Sequence, residues 1–119
     1  DTDDYFSREA VAFAERTLNG RSVHLVLLPD RTRDRFGRLL AYAFLERDGA
    51  MFNERLVEQG YAYADFRFDH VYKDRFAALE KQAKRTRAGL WNGVTPDLLP
   101  AWRQRMERRG KERSHGPDR

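Results

Sequence analysis

Apolar residues fall along this chain in two rhythms. Ala10, Phe13, Ala14 and Leu18 recur at every third or fourth position, the spacing that gathers side chains on one face of a helix. Ser7 is placed to cap that helix, Glu9 lies in its first turn, and Asn19-Gly20 closes it after about three turns. Residues 22–28, Ser-Val-His-Leu-Val-Leu-Leu, change to the other rhythm and stop at Pro29, which predicts a strand. A charged loop over 30–36 leads to a second strand over 38–45, introduced by a bend at Gly37. Glu46-Arg47-Asp48-Gly49 carries the Asp-Gly signal of a hairpin turn, with a brief return strand over 50–52.

The second half begins with a short helix over 54–59, with Asn53 as its cap, Leu56 and Val57 facing inward and Gly60 as its left-handed stop. Tyr61, Tyr63, Phe66 and Phe68 nearly alternate, so residues 61–68 read as extended with a register shift near Asp65. The clearest helix spans 71–87, where Tyr72, Phe76, Leu79 and Ala83 form one apolar stripe and Glu80 with Lys84 makes a supporting pair. Gly89 ends it, and Leu90-Trp91 fold back as a hydrophobic plug. Composition then shifts. Residues 92–99 read as a linker, 100–109 as a basic helix with Trp102 and Met106 four apart, and 110–119 as disordered. One packed domain is therefore expected over 1–91, with an appended segment over 92–119.

A length of 119 residues suits a single domain, and 40% apolar residues are enough for one core. The absence of cysteine excludes disulfides, thiolate nucleophiles and Cys-bearing zinc sites. No apolar run approaches the roughly 18 residues a membrane span requires. The sequence opens at Asp1 with no signal peptide ahead of it, as expected of a trimmed product or of a chain whose true beginning lies upstream. The pI of about 9.7 is less general than it looks. Residues 101–119 hold seven basic and three acidic side chains, whereas the other 100 residues hold sixteen of each. Only the tail is basic, and only the tail is marked by charge for a polyanion.

Most standard catalytic patterns are absent: there is no glycine-rich phosphate loop, no His-Glu-x-x-His, no nucleophile elbow and no calcium-hand loop. His24 stands alone in its strand and has no partner at metal-binding spacing. What remains is arginine and carboxylate, a set suited to phosphoryl chemistry. Arg38 stands out because Gly37 sets it at the mouth of a strand, with a planar fork of donors that fits a phosphate. The plainer alternative is a surface arginine paired with Asp34.

The order helix, strand, Asp34-x-Phe36-Gly37-Arg38-x-Leu40-Ala41-Tyr42, turn, Asn53-Glu54-x-Leu56-Val57-x-Gln59-Gly60-Tyr61-Ala62 resembles the staphylococcal nuclease (thermonuclease) family. Tyr5-Phe6-x-x-Glu9-Ala10, Glu80-x-Gln82-Ala83-Lys84 and Gly89-Leu90-Trp91 extend the match over nearly everything but the tail. The resemblance implies a mainly β or α+β fold, an OB-type barrel of five strands with three helices, here lacking the family's first three strands. It also implies a Ca²⁺-dependent endonuclease acting on DNA or RNA, with no obligate protein partner, and a secreted or cell-envelope location. The resemblance implies that Arg38 contacts the scissile phosphate. Phe36 stands where the family often has tyrosine in its Asp-x-Tyr-Gly-Arg motif. Phe66 and Phe68 stand where well-known members carry two tyrosines beside the nucleotide, so stacking is retained and a hydroxyl hydrogen bond is lost.

Asp1-Thr2-Asp3-Asp4 reads in two ways. As a remnant of the family's Asp-Thr-Pro-Glu motif it makes Asp1 a calcium ligand and Asp4 the base that activates water. Otherwise the four residues are the acidic end of a loop without chemistry. Two further alternatives follow from the whole chain. One is a catalytically inactive module that binds nucleic acid or protein through Phe36, Phe66, Phe68 and the tail. The other is a tail that docks on a membrane or partner through Trp102 and Met106, against a plainly solvated tail. A barrel without its first strands would expose unpaired edges, so these residues alone are expected to be unstable and inactive.

Overall fold

A computed structural model describes residues 4–28, 40–65 and 69–114, with side chains described as far as residue 110. Helix α1 is Ser7–Leu18. Its cap position belongs to Phe6, which sits in the left-handed region at φ 71°, and no side chain caps the helix. Ser7 is already inside, its N–H donating to the Asp4 carbonyl at 3.1 Å. The expected serine cap is thus replaced by an aromatic anchor, because Phe6 packs between Tyr5 and Tyr61 at 5.9 and 5.7 Å. Phe13, about two turns further on, stacks on Tyr61 at 4.3 Å and on Phe52 at 6.0 Å. The helix closes at Asn19-Gly20, where Gly20 takes φ 71°.

Strand β1, Val23–Leu27, pairs antiparallel with β2, Ala41–Leu45, in the register Val23↔Leu45 to Leu27↔Ala41. The two differ in burial. Strand β2 buries Tyr42 and Leu45, while every residue of β1 is exposed, Leu25 by 49% and Val26 by 43%. Aliphatic side chains on both faces are the composition of a covered strand. Among the described residues, however, β1 has one paired edge and no layer over it. The sheet there has two strands and does not close, so among the described residues it forms part of a sheet and not the whole of the expected OB-type barrel, whose first three strands were expected to be missing.

The return strand expected over 50–52 shrinks to one bridge between Phe44 and Met51, because helix α2 starts at once, Phe52–Glu58. Asn53 lies within α2 and does not cap it. Its Oδ1 accepts from the Ala43 N–H at 2.7 Å and its Nδ2 donates to the Ala41 carbonyl at 3.0 Å. One amide thereby brackets α2 to β2. Residues 61–65 are irregular and form no strand. Tyr61 and Ala62 both donate their N–H groups to the Leu56 carbonyl, and Ala64 donates to Glu80 Oε1 at 3.0 Å.

Helix α3, Lys73–Thr86, buries Phe76, Leu79 and Ala83 as its pattern requires. Phe76 and Leu79 join Leu28, Tyr42, Met51, Val57 and Ala64 in the core. The helix ends through Arg87 at φ 56°, two residues before the glycine expected to stop it. Gly89 has another task. Gly60 and Gly89, at φ 77° and 50°, let two backbone segments touch, and the Leu90 N–H donates to the Gly60 carbonyl at 2.8 Å. Leu90 is 1% exposed and plugs the core as expected.

Two short 3-10 turns, Gly89–Asn92 and Pro96–Leu98, lead into helix α4, Ala101–Ser114. This helix, expected over 100–109, continues through Gly110, where disorder was expected, and adds a fourth α-helix among the described residues to the three implied by the resemblance. It also docks. Arg103 is 4% exposed and binds Glu80, itself 3% exposed, in α3.

Candidate nucleic-acid interface

Of the residues singled out in the sequence, Asp1, Phe36, Arg38, Phe66 and Phe68 lie outside the described residues. The flanks of their segments are well placed. Leu28 donates its N–H to the Leu40 carbonyl at 3.3 Å, so the two residues that flank positions 29–39 in the sequence lie side by side at one end of the β1–β2 pair. Two residues past Leu40, Tyr42 meets His70, which follows the segment 66–68. The Tyr42 hydroxyl lies 2.8 Å from His70 Nδ1 and the rings are 5.7 Å apart. The same end of the molecule therefore carries the roots of both segments expected to face a nucleotide.

His70 is the residue that sequence reasoning missed there. The Tyr72 backbone N–H also points at its Nδ1, at 3.3 Å. A backbone N–H can only donate, so Nδ1 is an acceptor, the tyrosine hydroxyl is the second donor, and the ring is neutral with its proton on Nε2. Burial lowers the His70 pKa, helped by Lys73 and opposed by Asp65 and Asp69. Burial likewise raises that of Tyr42, as does Tyr72, against a backbone hydrogen bond that lowers it. No sequence pattern marks this pair, because it joins positions 28 apart.

Asp4 is described and exposed, just ahead of α1. Tyr63 lies near it: burial chiefly raises the Tyr63 pKa, Arg103 lowers it, and the charges of Asp4 and Glu80 add to the rise. Tyr63 meets Trp91 edge to face at 5.5 Å and Trp102 at 6.4 Å. A side chain added at Gly93 would run into the Tyr5 hydroxyl, so the segment carrying Asp4 and Tyr5 lies against the turn after Trp91. Calcium takes six to eight oxygen ligands. Among the described residues no three acidic or histidine side chains group closely enough to hold a metal, so Asp4 and its described neighbours do not by themselves make such a site.

A second signal missed in the sequence is Arg103. Its Nη1 and Nη2 donate to Glu80 Oε1 and Oε2 at 2.8 and 2.6 Å, and its Nε donates to Glu107 at 3.1 Å. The expected Glu80–Lys84 pair exists at 3.7 Å but is the minor contact of that carboxylate. Trp102 one residue earlier, with Met106 four further on in a helix rich in charge, was the available hint that α4 packs.

A two-stranded antiparallel sheet backed by helices defines an α/β domain among the described residues. The sequence model described as "Staphylococcal nuclease homologue" matches residues 2–93, and the chain belongs to that family. It is 35% identical over 88 residues to the thermonuclease of Staphylococcus hyicus, covering 73% of this chain and 50% of that protein. It is 37% identical over 87 residues to an uncharacterized protein of Methanocaldococcus jannaschii, covering 71% of this chain and 42% of the other. An uncharacterized protein of Bacillus anthracis is 33% identical over 87 residues, 71% of this chain and 40% of its own length. The chain thus spans half or less of these relatives. No helix among the described residues is long and apolar enough to cross a membrane.

Proposed function

We propose that the protein is a Ca²⁺-dependent nuclease that hydrolyses phosphodiester bonds of DNA or RNA. The observation that carries this reading is Asp34-x-Phe36-Gly37-Arg38 at the root of β2, inside a chain that belongs to the nuclease family. In this reading residues 1–91 form the later portion of an OB-type barrel, with β1 and β2 completed by strands outside the described residues. The exposed aliphatic faces of β1 support that, since leaving them in water forgoes roughly 25 cal/mol per Å² of apolar surface.

Arg38 would contact the scissile phosphate and offset charge that builds on its oxygens as water attacks phosphorus and the sugar oxygen leaves. Asp4 would accept the proton of that water, and Asp1 would contribute a calcium ligand. Phe36, Phe66 and Phe68 would stack on bases. The calcium ion, when bound, supplies further charge stabilisation at the phosphate. Asp4 is one methylene shorter than glutamate, a reach that slows a positioned base.

The test uses the intact protein with single-stranded DNA, with Ca²⁺ or with EGTA. Cleavage that EGTA abolishes is expected, and Arg38→Ala is expected to lower kcat by about 10²–10³-fold. Cleavage indifferent to EGTA would reject the calcium dependence, and no cleavage at all would reject the enzyme reading. A second reading, a binding module without catalysis, is favoured by Asp4 and by the phenylalanines at 36, 66 and 68. It predicts salt-sensitive binding in EGTA with no hydrolysis under any divalent ion.

A further inference from the structure

The family match ends at residue 93, yet the chain goes on to build α4 and clamp it to the body through Arg103. That clamp settles which way the helix faces. Arg103 is buried, and Trp102 and Met106 are partly so. Arg105, Arg108 and Arg109, spaced i, i+3 and i+4, are all exposed and share one outer stripe. Along the inner border of the stripe runs a groove of about 410 Å³ between α4 and the end of α3. Trp91, Val94, Pro96 and Leu99 give it an apolar floor, with Lys84 on one wall and Arg108 on the other. Glu107 also borders it, but its carboxylate is held by Arg103 Nε at 3.1 Å.

An apolar, aromatic floor between Lys84 and Arg108, with Arg105 and Arg109 on the outer face beyond, complements one class of ligand, a single-stranded nucleic acid. Lys84 Nζ lies 4.9 Å over the Trp91 ring, so its bases bring their stacking faces to the indole by displacing that flexible ammonium toward a phosphate, and the other phosphates meet the arginines. A duplex hides those faces. A lipid surface asks for apolar side chains on the outer face of an interfacial helix, and here the outer face is arginine while Trp102 and Met106 turn toward the body. The floor also adjoins the candidate catalytic segment, since Tyr5 packs where a side chain on Gly93 would be.

We propose that the α3–α4 groove and the Arg105–Arg108–Arg109 stripe form an accessory site for single-stranded nucleic acid, holding the strand beyond the bond to be cut. Its role in cleavage rests on the nuclease reading, but its occupancy does not. The site acts on substrate length and affinity and leaves the chemical step alone.

Binding of a fluorescein-labelled 20-residue oligo-dT to the intact protein in EDTA, followed by anisotropy across a salt series, tests occupancy without turnover. The triple variant R105Q/R108Q/R109Q is expected to bind at least tenfold more weakly at low salt. Its plot of log K against log salt should be shallower by about 2, because each phosphate that an arginine neutralises adds roughly 0.7 to the slope. The triple lysine variant should restore most of both, and circular dichroism should stay unchanged because these side chains are exposed. With Ca²⁺, the glutamine variant should show a raised KM on the 20-mer, an unchanged kcat, and unchanged kinetics on a dinucleotide. Wild-type affinity and slope in the glutamine variant would overturn the proposal, as would binding to phosphatidylglycerol vesicles that oligo-dT fails to displace. Loss of cleavage by every form with binding intact would remove the nuclease reading and leave the site standing.

Discussion

Arg103 and Glu80 face each other 23 residues apart through two parallel hydrogen bonds of 2.8 and 2.6 Å, both side chains nearly excluded from water. The carboxylate accepts a third bond from the Ala64 N–H, and the guanidinium reaches the Ala64 carbonyl at 3.5 Å. One ion pair therefore ties together α3, the irregular segment after α2, and α4.

Breaking such a pair costs more than making it gains, because the surviving charge stays buried. Arg103→Met is expected to lower stability by about 3–5 kcal/mol and Glu80→Met by a similar amount. The double variant should recover much of that loss, as an apolar pair of similar volume. Urea unfolding of all four forms gives the coupling energy; strict additivity would show that the pair contributes nothing as a pair.

Asn53 supports the β2–α2 junction by its amide alone. Asn53→Ala leaves the Ala43 N–H and the Ala41 carbonyl without partners, a loss of about 1–3 kcal/mol. Hydrogen exchange at the Ala43 amide should quicken by more than the global change in stability. Exchange at the wild-type rate would mean that a water molecule replaces the side chain.

Gly60 and Gly49 share a left-handed backbone, at φ 77° and 73°, but not their surroundings. A Cβ at Gly60 would collide with the Ala88 carbonyl, whereas nothing lies within 4 Å of one at Gly49. Gly49→Ala should therefore cost only the left-handed penalty, about 1 kcal/mol. Gly60→Ala adds backbone displacement and should exceed it by at least about 1–3 kcal/mol. Equal denaturation midpoints for the two variants would contradict the contact between residues 60 and 88–89.

His70 makes stability depend on pH in one direction. Its folded pKa lies below the unfolded value of about 6.5, since burial, and then Lys73, disfavour the charged ring. Below that value the unfolded chain binds a proton that the folded chain does not, so stability falls as pH drops, until folded His70 itself titrates. Protonating Nδ1 would also break its bonds from the Tyr42 hydroxyl and the Tyr72 N–H. His70→Gln is expected to flatten the fall in urea midpoint below about pH 6.5; an unchanged profile would assign the slope to other groups.

Much of the fold was legible in advance because it is written locally. The helices at Phe13, Val57 and Phe76, the β1–β2 strands and the Leu90 plug follow from spacing and from glycine. Where a local preference failed, a distant partner had overruled it. Ser7 gave up the cap because Phe6 has Tyr61 to pack on, and Asn53 moved inside α2 because β2 offered it two backbone groups. The extended reading after Gly60 gives way to an irregular path over 61–65, because Tyr61 turns to Phe13 while Tyr63 turns to Trp91 and Trp102.

The chain by itself determined the family, the Gly37-Arg38 signature and the concentration of basic charge after residue 100, all of which are properties of residue order. It could not say whether that charge was loose or held, since a cation beside Trp102 looks the same in either state. Tertiary structure decided it: Glu80, buried on α3, needs a guanidinium to offset its desolvation, and the one it finds turns a basic tail into a docked helix.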